Sequence, residues 1–327
     1  MHLLSKADVQ QAITMHQAIE VVKEAFAQLS TGQATVPLRV PLEVPERDAV
    51  TLFMPAYLAA SGGMGAKVVS VFPHNAELGL PTIHAVVVLV NSATGQPQAL
   101  LDGTYLTALR TGAVSGAATD FLARPDARTV AIFGAGAQGR TQLAAVCAVR
   151  DIEQAWVYDT HVAAAERYVR ELRGQPGMPP CLDVATSPAA AVREADVICT
   201  ATTSHSPVFD SGDVRPGTHI NAVGAFTPEM QEVDVAGLRA GRIVVDSREA
   251  CLAEAGDLII PLRQRLITEA EAWTELGEIA AGQSPGRQSL DEITYFKSVG
   301  NAVQDVSVGQ AVLAAARQLG LGIEVEL

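Results

Sequence analysis

The stretch Val130-Ala-Ile-Phe-Gly-Ala-Gly-Ala-Gln-Gly-Arg140 decides the fold. Its apolar start reads as a buried strand, and Ala137 onward reads as a helix. Between them the glycines have the spacing Gly134-x-Gly136-x-x-Gly139. That pattern alone says little. Between a strand and a helix, with an acidic residue closing the next strand, it is the fingerprint of a dinucleotide-binding βαβ unit. Gly134 permits the tight turn, Gly136 lets a pyrophosphate approach the backbone, and Gly139 lets helix and strand pack closely. The pyrophosphate would sit on the positive end of the helix. The contacts expected are Gly134, Ala135, Gly136, Ala137, Gln138 and Gly139.

Asp159 closes the next strand-like segment, Trp156-Val-Tyr-Asp159, 20 residues after Gly139. A carboxylate there accepts hydrogen bonds from a ribose 2′-hydroxyl and repels a 2′-phosphate. Thr160 and His161 follow and supply no arginine. The cofactor expected is therefore NAD(H) in preference to NADP(H), with Thr160 among its contacts. His161 reads as a surface residue at a helix start.

Working outward, strand-like segments 130–133, 156–159, 197–202, 220–223 and 243–246 alternate with helical ones. That period means βαβ units on a parallel sheet, and near-continuous apolar strands mean helices on both faces. Residues 1–31 look helical, with capping-box spacings at Ser5/Asp8 and Thr14/Gln17. Segments 49–54, 65–72, 83–90 and 98–101 look like strands. Residues 104–123 read as a helix dense in small residues, which should pack closely against something. A last helix, 304–319, is stopped by Gly320 and resembles the first part of the chain.

The chain has 327 residues, 48% of them hydrophobic and 18% charged, with net charge −13. This is the composition of a well-packed soluble protein. An acidic chain with no Lys/Arg cluster argues against nucleic acid or a membrane surface as partner, though not against a small anionic substrate. No window approaches the roughly 18 apolar residues of a membrane span. The start lacks the cationic and apolar regions of a signal peptide, so a cytoplasmic location is expected. Cys147, Cys181, Cys199 and Cys251 lie far apart with no C-x-x-C, and read as buried free thiols.

Three cations stand in apolar or glycine-rich surroundings: Arg39 in "VPLRVPL", Lys67 in "GGMGAKVVSVF" and Arg110 in "YLTALRTGAVSG". One such cation is as often a surface charge lying along its own stem. Three in an acidic protein suggest a carboxylate pocket, with Arg as a bidentate fork and Lys as a point charge. Within a β segment, desolvation and neighbouring cations would make Lys67 a proton donor near neutral pH. His84, in an apolar strand, reads as a satisfied core histidine. His74, His205 and Asp246 have no metal-ligand spacing, and no metal is expected.

These residues resemble the family of ornithine cyclodeaminases, mu-crystallin-like ketimine reductases and archaeal-type alanine dehydrogenases. The resemblance runs nearly end to end. It is carried by "FMPAYL" (53–58), "GAKVVSVFP" (65–73), "LRTGAVSG" (109–116), "FGAGAQGR" (133–140), "HINAVGA" (219–225), "VDSREACLAEAGDL" (245–258) and "FKSVGNAVQD" (296–305). It implies an α/β fold: a Rossmann domain, 123–302, inserted in an α+β substrate and dimerisation domain, 1–122 and 303–327. It implies a homodimer. It also implies that Arg39, Lys67 and Arg110 hold a substrate carboxylate beside the nicotinamide, and that Thr111, Val223, Ser298 and Gly300 touch the cofactor.

The departures from that pattern matter as much. Ornithine cyclodeaminases carry a catalytic Asp in the loop after the "INAV" strand; here Phe226 takes its place. They carry an acidic residue two before the Met of "MP"; here Leu52 stands two before Met54. Both losses remove partners for a distal ammonium, which would be costly to bury unpaired. Mu-crystallin has an Arg after its second Rossmann strand, where this chain has Asp159. The reading that follows is an NAD(H)-dependent reductase of small cyclic imino acids. Arg39 and Arg110 would hold the carboxylate, Lys67 would orient it and tune imine protonation, and Met54, Leu52 and Phe226 would be apolar wall. Three alternatives stay open: reductive amination of a 2-oxo acid as in alanine dehydrogenase, ornithine cyclodeamination, and a mu-crystallin-like binding protein without catalysis. Glu229 could replace the lost Asp if its loop folds inward.

Overall fold

The computed structural model describes residues 1–238, 241–267 and 272–326. The chain forms two compact units, Met1–Arg110 with Asn301–Leu327, and Thr111–Gly300. Sequence reading set these divisions at 122/123 and 302/303. The difference at the first arises because one continuous helix, Gly103–Leu122, runs through it without a break in composition.

The first unit is built on an eight-stranded sheet. From one edge the strands run Ile323–Glu324, His2–Leu4, Pro97–Asp102, Ile83–Asn91, Gly63–Val71, Ala49–Leu58 and Ala34–Thr35, and Val40–Val44 also pairs with Ala49–Leu58. Helices Met15–Ser30 and Ala302–Leu319 pack together and cover one face. Both expected capping boxes form, Ser5 with Asp8 and Thr14 with Gln17. The last helix stops at Gly320, whose φ of 68° suits a residue without Cβ.

Pleating sends alternate residues of these strands to opposite faces. Leu52, Met54, Lys67, Val69, Val87 and Leu89 point to the helix-covered face and are buried. The other face is apolar too. Register sets Val40 opposite Phe53, Phe53 opposite Val68, and Val68 opposite Val86. His84 belongs to this second face, opposite Ser70, and is exposed. It is therefore not the core histidine expected, because its parity in the strand points it away from the helices.

Among the described residues the central unit holds a second sheet of eight strands, all parallel. Their order is Cys181–Val184, Gln154–Tyr158, Thr129–Phe133, Val197–Thr200, His219–Ala222, Thr294–Lys297, Arg242–Val245, Thr274–Glu275. The order reverses direction at Thr129–Phe133, which makes the doubly wound Rossmann topology with its switch point beside that strand. Small residues in Gly103–Leu122 have a direct reason: a Cβ at Gly112 would strike the Thr141 carbonyl of helix Ala137–Val149. Cys199 and Cys251 are buried as expected. Cys147 is half-buried and Cys181 is exposed, since Cys181 starts the edge strand. Among the described residues no helix is long and apolar enough to cross a membrane, and no group of three or more His, Cys, Asp or Glu could hold a metal.

Candidate active site

Lys67 lies on the helix-covered face of the first sheet. Cross-strand pairing puts it directly opposite Met54 on one side and Val87 on the other. Its stem is walled by apolar groups, and only 1% of the residue is exposed. The ammonium meets Oδ2 of Asp305 at 2.8 Å. Asp305 comes from the first turn of helix Ala302–Leu319 and is fully buried. Its Oδ1 accepts a hydrogen bond from Arg110 Nε at 2.9 Å, and Arg110 Nη1 donates to Gln304 Oε1 at 2.6 Å. Arg39 is half-buried, and its charge also acts on Lys67. The structure thus brings Arg39, Lys67 and Arg110 into one electrostatic neighbourhood in the first unit.

The Lys67 pKa is lowered from 10.5 to about 7. Burial is the main cause, the Arg110 guanidinium acts in the same direction, and Asp305 opposes both. A buried cation pair sharing one carboxylate has positive charge left over, which a bound anion can neutralise. The side-chain Nε2 of Gln304 is buried with no hydrogen-bond partner among the described residues. That is an unused donor next to Arg110, and buried donors are costly when unmet. Sequence reasoning missed Asp305 and Gln304. The signal was there: they are polar residues in a helix whose neighbours Val303, Val306 and Val308 are all core.

In the central unit, Gly134 has φ of 100°, and a Cβ there would press on the Ala201 carbonyl. A Cβ at Gly139 would collide with the Gly134 carbonyl, whereas one at Gly136 would meet nothing within 4 Å. Two glycines are thus required by packing, and the middle one faces open space. Helix Ala137–Val149 begins at Gly136 without a side-chain cap, so its first amides are available to an anion. Ala135 is buried, Ala137 exposed and Gln138 half-buried. Asp159 lies just past strand Gln154–Tyr158. Its Oδ2 accepts from the Ala135 amide and its Oδ1 from the His161 amide, both at 2.8 Å. Each oxygen keeps a lone pair for a further donor. Gly134, Gly136, Asp159 and Thr160 line a cavity of about 570 Å³ together with Thr202 and Pro207. His161 is the exposed N-cap of its helix. This cradle fits the adenosine and phosphates of a dinucleotide.

The loop after strand His219–Ala222 carries Val223 and Phe226, both half-buried. Glu229 is exposed, and its backbone carbonyl is engaged with the His205 ring at 3.1 Å. It does not fold inward to replace the missing carboxylate. The loop does hold a buried acid, Glu232, which sequence reasoning passed over. Thr111 is buried, and its carbonyl accepts from Gln142 Nε2 at 3.2 Å. Ser298 is buried, and Gly300, half-buried, has φ of 87°.

A sequence model described as the ornithine cyclodeaminase/mu-crystallin family matches residues 1–319. The chain belongs to this family. It is 38% identical over 330 residues to a Delta(1)-pyrroline-2-carboxylate reductase of Bacillus cereus, covering 100% of both chains. The structure superposes with a TM-score of 0.95 on the Thermococcus litoralis Delta(1)-pyrroline-2-carboxylate reductase solved with NADH and L-proline, at 42% identity and over 99% of this chain and 100% of that one. An archaeal alanine dehydrogenase dimer with bound NAD gives a TM-score of 0.91 at 36% identity, over 100% of this chain and 99% of that one. These family members are NAD-linked reductases and dehydrogenases of small amino or imino acids.

Proposed function

We propose that this member of the family reduces a small cyclic ketimine acid, Δ1-pyrroline-2-carboxylate or its six-membered homologue, to the L-amino acid. The observation that carries this reading is the cluster Lys67–Asp305–Arg110, with Met54 directly opposite Lys67 and Leu52 two residues along on the same face. Its excess positive charge fits a carboxylate. Asp305 is already shared by two cations, so it is not available to the distal ammonium of ornithine.

Bound NADH supplies the hydride that adds to the C=N carbon. The residues of the chain do the rest. Arg110 and Arg39 bind the carboxylate and fix the ring, with the Gln304 amide as an added donor. Lys67, near half-protonated at neutral pH, can give a proton to the ring nitrogen as the new C–H bond forms. A protonated imine is already a strong electrophile, so orientation and charge placement are the main requirements. Phe226, half-buried, offers apolar surface where the deaminating relatives have an acid. Asp159 favours NADH because a 2′-phosphate would meet its carboxylate.

The deciding experiment follows NADH absorbance with pyrroline-2-carboxylate, with pyruvate plus ammonia, and with ornithine. Turnover should be fastest with the preformed imine. Faster reduction of pyruvate plus ammonia would replace this reading with alanine dehydrogenase. Ammonia release from ornithine without imine reduction would make it a cyclodeaminase.

We propose further that the chain is a homodimer through the uncovered face of the first sheet. Val40 (59% exposed), Phe53 (42%) and Val86 (40%) form one continuous apolar row with Val68. An exposed apolar face of this kind marks an interface. Phe53→Asp should yield monomers by light scattering.

A further inference from the structure

Glu232 belongs to no step described so far, yet it is among the most heavily engaged side chains of the central unit. It is fully buried. Its Oε2 accepts from the Gly224 amide at 2.7 Å, the Ala225 amide at 3.0 Å and the Thr200 hydroxyl at 2.9 Å. Its Oε1 accepts from the Thr202 amide at 2.6 Å and the Thr202 hydroxyl at 2.8 Å. Thus one carboxylate ties together the chain leaving two adjacent parallel strands, Val197–Thr200 and His219–Ala222.

Asp246 repeats the device one strand further on. Its Oδ2 accepts from the Ser298 hydroxyl at 2.7 Å and from the amides of Val299 and Gly300, each at 3.0 Å. Its Oδ1 accepts from the Ser247 amide at 2.8 Å. The two devices are joined. Asp257 Oδ1 accepts the amides of Glu232 and Val233 at 2.6 and 3.0 Å. Its Oδ2 meets Lys297 Nζ at 2.8 Å, and Lys297 ends the strand that leads into Ser298. All four ionisable side chains are fully buried. A fold that needed only a core would place apolar residues there, because buried carboxylates are costly unless nearly every lone pair is met.

In a doubly wound sheet a dinucleotide crosses the carboxyl ends of the strands. Asp159 and the glycine turn serve the half of the sheet that holds the adenosine. The loops 223–226 and 298–300 leave the other half. We propose that Glu232 and Asp246 are positioning residues for the nicotinamide end of the cofactor, each setting one of these loops through its backbone amides, with the Asp257–Lys297 pair fixing the two loops in one register. The inference rests on the NAD(H) reading and extends it to groups that touch neither cofactor nor substrate.

The test compares wild type, Glu232→Gln and Thr200→Val. The readouts are hydrogen exchange of the 223–226 amides, calorimetric binding of NADH and of ADP-ribose, and the isotope effect with deuterated NADH. In Glu232→Gln, protection of Gly224 and Ala225 should fall by about tenfold or more, and NADH affinity by about tenfold, as expected for hydrogen bonds to a charged acceptor. ADP-ribose affinity should fall clearly less than NADH affinity, because Glu232 holds Thr202 of that seat while the glycine turn and Asp159 hang on other strands. The isotope effect should rise as hydride transfer becomes limiting. Thr200→Val keeps the carboxylate and removes one donor, so it should move each readout the same way by less, and it serves if Glu232→Gln does not fold. Parallel loss of NADH and ADP-ribose binding in Thr200→Val would overturn the proposal, since that is general destabilisation. Wild-type protection and NADH affinity in Glu232→Gln would also overturn it. Wild-type protein that binds both nucleotides but reduces no imino acid would sink the substrate reading alone.

Discussion

In the central unit the glycine turn and the acid that fit a dinucleotide lie within one stretch of chain, Gly134 to Thr160, with Thr202 and Pro207 completing the cavity. In the first unit Lys67, Arg110 and Asp305 come from a strand and two helices, and Arg110 and Asp305 are 195 residues apart. The first arrangement is made by backbone geometry: glycines where a Cβ would collide, and bare amides at a helix start. The second is made by side-chain charges that are stable only together. The difference teaches which half should tolerate change. Backbone amides survive most substitutions, but a buried charge whose partner is removed is left without compensation.

The largest effect should come from breaking the charged half. Arg110→Met is expected to lower kcat/KM for the imino acid by about 10²–10³, the cost of losing a preorganised charged donor. NADH affinity should be unchanged by fluorescence titration. Equal loss of both would mean that the two halves do not divide the work.

Next is Asp305→Asn, which leaves Lys67 and Arg110 facing each other. Thermal unfolding should show a loss of about 3–5 kcal/mol, typical of an orphaned buried charge. Its pH profile is more specific. In the proposed reaction, carboxylate binding and proton donation need protonated Lys67, so kcat/KM of the wild type should fall above about pH 7. Without Asp305 the ammonium has lost the carboxylate that favours its charge, and the falling limb should move to lower pH. The stability linkage has a definite sign as well. The unfolded lysine keeps its proton to 10.5 while the folded one gives it up at about 7, so between these values the unfolded state binds more protons. Lys67 therefore adds stability as pH rises through that window, and Lys67→Met should remove this component from the pH dependence of unfolding.

A smaller effect is expected at Asp159. Asp159→Ser should narrow the NADH over NADPH preference by about tenfold, measured as the ratio of kcat/KM values, because one repulsion is lost while the turn and helix amides remain. The smallest is Glu229→Gln. The side chain is exposed, so kinetics within about twofold of wild type are expected. A large loss there would return Glu229 to the site and sharpen the contrast with Glu232.

Much of the fold could be read from local chemistry. Capping boxes at Ser5 and Thr14, the stop at Gly320 and the glycine turn are all interactions within a few residues, and the residue types alone specify them. Longer-range features were read less well. His84 sits in a strand apolar at both parities, where composition cannot say which face the helices cover. Strand Cys181–Val184 was missed because an edge strand has one neighbour and need not be apolar throughout. Glu232 was overlooked beside Glu229 because the two carboxylates differ only in where the loop turns them.

By itself, the sequence determined that a glycine turn links a buried strand to a helix, that an acid closes the next strand, and that three cations lie in apolar surroundings. Only the tertiary structure decided that Lys67 and Arg110 share Asp305, that Gln304 brings a spare donor to them, and that Glu232 rather than Glu229 is the acid inside. The reason is physical. Turns and caps are fixed by neighbours along the chain, whereas a buried charge is tolerable only where folding brings its partners, and those partners can come from any distance in sequence.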